Sequence, residues 1–196
     1  MSNAYSLEDA PYTYADVLET DEKTRMEIID GEMFMMALPT TDHQIISREL
    51  FGQLWQFLKG KPYQVFSAPV GVRLFPRTDF SDDTFLEPDL VVVCDRSKIT
   101  RAGCEGAPDM IIEILSPSNA RHDRLLKFRK YLAAGVPEYW VVDGMAKTVE
   151  IHILDQGRYI TTVAGENDEV PVSVLPGCTI KLRDIWSDNQ VPESRE

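Results

Sequence analysis

Met110-Ile111-Ile112-Glu113-Ile114-Leu115-Ser116-Pro117-Ser118-Asn119 is the stretch on which the fold turns. Apolar side chains enclose a single carboxylate, and so short an apolar run reads as a strand buried on both faces. The Ser-Pro-Ser-Asn segment after it has turn and cap chemistry for a helix reaching Ala134, where Gly135 and then Pro137 end it. Glu138 to Val142 is a further apolar strand. On the other side, Leu90 to Cys94 is also fully apolar, and an irregular, exposed loop is expected between it and Met110.

The flanking segments extend this pattern. Tyr12 to Leu18 reads as a short helix, and Met26 to Ile29 with Glu32 to Met35 as an edge hairpin closed by Asp30-Gly31. From Asp42 to Lys59, Ile46, Leu50, Leu54 and Phe57 share one helical face, with Thr41 or Asp42 as cap and Gly60 and Pro62 as the stop. Tyr63 to Phe75 is a strand or bent arm interrupted near Pro69 and Gly71. Val149 to Leu154 and Tyr159 to Val163 form a second hairpin across Asp155-Gln156-Gly157. Hairpin, helix, strands, helix, strand and hairpin imply an α/β domain, a mixed central sheet flanked by helices. Its expected span is residues 12–186, between an N-terminal tail, 1–11, and a polar, frayed tail, 187–196.

Composition narrows the class. With 43% apolar and 27% charged residues, the 196-residue chain should fold as a globular domain. Its longest apolar stretches fall far short of the roughly 20 residues of a membrane span. Cys94, Cys104 and Cys178 form no zinc-spaced cluster, and no basic stretch precedes an apolar core at the N-terminus, so a cytoplasmic protein with reduced thiols is expected. Twenty basic residues against 32 acidic ones leave a formal charge of -12, which opposes nonspecific coating of nucleic acid. The charge is uneven, however. Between Arg121 and Lys130 there are five basic residues and one acid, Asp123.

A carboxylate within a buried strand needs a partner, and Glu113 has three kinds open to it: an arginine such as Arg73 or Arg121, a lysine, or a metal ion. Asp89, behind Pro88 at the head of the Leu90 strand, poses the same question; a strand-entry or turn role is its plain alternative. Two carboxylates on adjacent strands can share a hydrated divalent cation, which suits magnesium. On the helix after Ser116, Asp123, Lys127 and Tyr131 line one face, so Lys127 either reaches back to Glu113 or pairs with Asp123 at the surface.

Taken together, Glu87-Pro88-Asp89, Glu113-Ile114-Leu115-Ser116-Pro117-Ser118, Asp123, Lys127, Tyr131 and Gly135-Val136-Pro137-Glu138-Tyr139-Trp140-Val141-Val142-Asp143 resemble the Uma-type restriction endonuclease family of the PD-(D/E)XK nuclease superfamily. The resemblance runs from about Tyr12 to Trp186 and includes the Glu27 hairpin and the helix start at His43. It implies a restriction-endonuclease-like core that hydrolyses DNA phosphodiester bonds with Mg2+, or alternatively Mn2+. Asp89, Glu113 and Lys127 are then the catalytic set, with Asp89 and Glu113 as metal ligands. Leu115 stands where the superfamily carries an in-strand lysine, and Lys127 takes that role. Glu27 is a further candidate at the metal or an exposed edge carboxylate; His43 is a candidate for proton transfer or a helix-start residue. Arg121 and Arg124 are expected to contact phosphates, and a homodimer is an open assembly. The competing readings are a catalytically silent nucleic-acid or protein-binding module on the same fold, and an RNA-directed enzyme.

Overall fold

The computed structural model describes residues 11–21, 24–115 and 123–186. Helix α1 (Tyr14–Glu19) opens them, Asp16 Oδ2 accepting the Thr13 backbone N–H at 2.7 Å across its first turn. The hairpin of β1 (Met26–Ile29) and β2 (Glu32–Met35) turns where Asp30-Gly31 predicts, with φ of 54° and 77° at the two turn residues. It is a two-stranded sheet of its own rather than an edge of the main one, bridged to the body where Ile28 lies opposite Phe85. In α2 (Thr41–Leu58), Thr40 is the cap, one residue earlier than expected: its hydroxyl accepts the His43 N–H at 3.3 Å. Ile46, Leu50, Leu54 and Leu58 are buried, while Phe57 only packs alongside.

After α2, a cis Ala68-Pro69 peptide separates β3 (Gln64–Ser67) from β4 (Gly71–Arg73), and the two join different sheets. Strand β5 (Leu90–Val93) follows. The expected irregular loop instead holds β6 (Ile99–Thr100) and β7 (Gly103–Glu105), which pair with each other while β7 runs parallel to β4. That pairing depends on glycine: a Cβ at Gly103, where φ is 136°, would lie 2.1 Å from the Gly71 carbonyl oxygen.

Strand β8 (Met110–Ile114) contains Glu113. The Ser116 to Asn119 cap lies outside the described residues; the helix enters view as a π turn, Asp123–Lys127, that continues into α3 (Phe128–Ala134) and ends with Gly135 left-handed at φ 77°. Strands β9 (Glu138–Asp143), β10 (Thr148–Asp155) and β11 (Arg158–Ala164) follow, then a small pair, β12 (Glu169–Pro171) and β13 (Thr179–Lys181). The main sheet has the order β11-β10-β9-β8-β5-β3 and is antiparallel throughout except between β8 and β9. A parallel neighbour requires a crossover, so the helix carrying Lys127 must pass over the sheet face beside Glu113.

Both faces of the sheet are covered, which is why its central strands are almost wholly apolar. One face packs Leu90, Val92, Ile112 and Trp140 under α2; the other packs Val91, Ile111, Tyr139 and Val141 against Tyr131. Each fully buried aliphatic side chain contributes about 1.5–3 kcal/mol. No helix among the described residues is long and apolar enough to cross a membrane.

Candidate active site

Strand register brings the two carboxylates together. Leu90 pairs with Ile112 across β5 and β8, so the register continued by one step sets Asp89 across from Glu113, and both residues line one cavity. Asp89 Oδ2 accepts the Ile114 N–H at 2.7 Å and lies 3.1 Å from His43 Nε2. Glu113, only 3% exposed, has Oε1 in contact with Lys127 Nζ at 2.9 Å and the Tyr131 hydroxyl at 2.6 Å.

Lys127 is not the surface lysine of the plain alternative. It is 2% exposed, and its ammonium also lies 2.8 Å from Glu27 Oε1. Glu27 is likewise buried rather than on an exposed edge, and it accepts the Glu87 backbone N–H at 2.9 Å. Arg25 Nε in turn donates to Glu87 Oε2 at 2.9 Å. Of the two arginine alternatives for Glu113, Arg73 binds Asp82 and Glu105 instead, and Arg121 lies outside the described residues. The side chain of Arg124 is outside them as well. Tyr131 is fully buried; burial, reinforced by the Glu113 and Glu27 charges, pushes its hydroxyl well above the usual tyrosine range and keeps it a donor.

A cavity of about 640 Å³ opens over this group, and Arg25, Thr40, His43, Asp89, Glu113 and Lys127 are among its lining residues. Glu27 is not; it sits behind Lys127. Among the described residues, the buried carboxylates of Glu27 and Glu113 share the Lys127 ammonium, and Asp89 lines the cavity beside Glu113. Among the described residues no three histidines, cysteines or acids are grouped to hold a metal. Asp89 and Glu113 would offer an ion two carboxylates at this cavity, a set that suits magnesium, which keeps several waters and takes one or two carboxylates.

Two participants were not anticipated. Arg25 carried no sequence signal, since its partner Glu87 is 62 residues away. The ion pair between Lys127 and Glu27 had one: Met26-Glu27-Ile28-Ile29 encloses a carboxylate in apolar residues much as the Glu113 strand does.

Residues 12–183 match the model of the family Uma2, described as "Putative restriction endonuclease". An uncharacterized protein of Synechocystis sp. is 23% identical over 144 residues, 72% of this chain and 73% of its own. The crystal structure of a "putative nuclease belonging to DUF820" from Anabaena variabilis superposes with a TM-score of 0.73 at 23% identity, over 90% of this chain and 98% of that one, and so shares the fold.

Proposed function

The chain belongs to the Uma2 family, "Putative restriction endonuclease", and we propose that its cavity hydrolyses DNA phosphodiester bonds as a PD-(D/E)XK enzyme using Mg2+, with Mn2+ able to substitute. The observation that carries this reading is the buried Lys127 ammonium between Glu27 and Glu113, beside Asp89 at the mouth of an open cavity. Asp89 and Glu113 would hold the ion. Bound there, it would act as a Lewis acid toward the phosphate and lower the pKa of a coordinated water.

The remaining work falls to the chain itself. Tyr131 fixes Glu113 through Oε1, and the two glutamates hold Lys127 charged at the cavity wall. From there Lys127 orients the attacking water and offsets the charge that builds on the phosphate oxygens as the phosphorus–oxygen bond to the leaving group breaks. Arg121 and Arg124 belong to the same reading as phosphate contacts, and the cytoplasm as its setting. The net charge of -12 favours one rival, a silent binding module on this fold. Purified protein on supercoiled plasmid separates the two: we expect nicked or linear DNA only with Mg2+ or Mn2+, and none from Glu113→Gln. Wild-type protein that leaves plasmid DNA intact in both metals sinks the DNA-cleavage reading, and an RNA panel then asks whether the rival or an RNA-directed enzyme replaces it.

A further inference from the structure

One polar contact at the cavity is not used by the chemistry above. His43 stands in the first turn of α2 and reaches across to the strand end, where Nε2 lies 3.1 Å from Asp89 Oδ2. That oxygen already accepts the Ile114 N–H at 2.7 Å. An ionised carboxylate oxygen accepts, so the contact is a hydrogen bond when Nε2 carries a proton. Nδ1 is buried with no hydrogen-bond partner among the described residues. Histidines kept for packing or capping normally satisfy both ring nitrogens. Here the cap is supplied by Thr40, and the one bond the ring keeps is to Asp89.

We infer that His43 is a positioning residue: together with the Ile114 N–H it pins Asp89 Oδ2, so that Oδ1 is the oxygen Asp89 gives to a divalent cation beside Glu113. The inference rests on the proposed role of Asp89 as a metal ligand. Two donors from different elements, the start of α2 and the end of β8, occupy the lone pairs of Oδ2 and stop the carboxylate from rotating. A ligand held in this way binds metal more tightly than one free to turn, typically by 10- to 100-fold.

Calorimetric Mn2+ titration of wild-type protein, His43→Leu and His43→Gln, alongside thermal melts, tests this. Leucine fills the space without a donor, whereas the glutamine amide can place an N–H near the position of Nε2. We expect His43→Leu to lower Mn2+ affinity by about 10- to 100-fold and His43→Gln to restore most of it. A folded His43→Leu protein with wild-type affinity overturns the inference, as does a His43→Gln protein no tighter than the leucine variant. Should His43→Leu fail to fold, His43→Asn replaces it, because its shorter amide cannot reach Asp89; equal affinities for the asparagine and glutamine variants then overturn the inference. Wild-type protein that binds neither Mn2+ nor Mg2+ overturns the metal reading itself, an outcome distinct from metal binding that ignores His43.

Discussion

At the scale of single residues, Lys127 has two separable effects. Its ammonium is buried between two carboxylates, so Lys127→Met removes the cation that Glu27 and Glu113 share and should cost about 3–5 kcal/mol of stability. Neutralising one of those carboxylates as well, in Glu27→Gln with Lys127→Met, should recover much of that loss in urea melts. Cleavage should not recover: both variants are expected to lose about 10² or more in rate, the scale of a lost electrostatic group at a reacting phosphate. A double variant that cuts at the wild-type rate would reduce Lys127 to a structural ion pair. That Glu113 needs a partner could be read from sequence, because a lone carboxylate in an apolar strand demands compensation, while the choice among arginine, lysine and metal stayed open. The approach of Asp89 to His43, 46 residues apart, could not, since only the folded helix and sheet bring them together.

Among elements, the helix after β8 shows where periodicity works and where it fails. Lys127 and Tyr131, four apart, both reach Glu113 as the spacing predicts. Leu125, within the π turn, is by contrast 51% exposed although it is a leucine flanked by apolar Leu126. The central sheet strands were legible for a simple reason: burial on both faces leaves them almost wholly apolar. The β4-β7-β6 sheet was not, since its strands are two or three residues long and its parallel pairing is a long-range contact. The start of α2 positions His43, and its cap is one hydroxyl. Thr40→Ala should therefore destabilise the protein by about 1 kcal/mol, and Thr40→Ser by much less. Chemical denaturation of both variants checks this; equal losses would mean that the hydroxyl is not what holds the helix start.

Over the whole molecule, charge sets the behaviour, first through pH. His152 is buried beneath the far edge of the main sheet, and burial holds its pKa below the usual histidine value, only partly opposed by Glu150. The unfolded chain thus takes up a proton that the folded state resists, so this contribution is intact above about pH 6.5 and declines as pH falls below it. His152→Gln should make stability less sensitive to acidification between about pH 6.5 and 5.5 than in the wild type. Parallel denaturation curves with the same pH slope for both proteins would rule out His152 as the source. The second effect concerns DNA. A chain of charge -12 whose cavity is lined by Asp89 and Glu113, with Glu27 behind Lys127, repels a phosphate backbone unless a cation intervenes. Wild-type protein in chelator should accordingly bind duplex DNA weakly, and Mn2+ should strengthen binding. Asp89→Asn with Glu113→Gln removes two of the repelling charges and the two proposed ligands at once. It should bind DNA about tenfold more tightly than wild type in chelator, the equivalent of a little over 1 kcal/mol of relieved repulsion, and gain nothing from Mn2+. Fluorescence anisotropy with a labelled duplex at fixed ionic strength reads both arms. If the double variant binds no better than wild type without metal, repulsion by these carboxylates does not govern the encounter; if Mn2+ still strengthens its binding, the ion acts somewhere other than between Asp89 and Glu113.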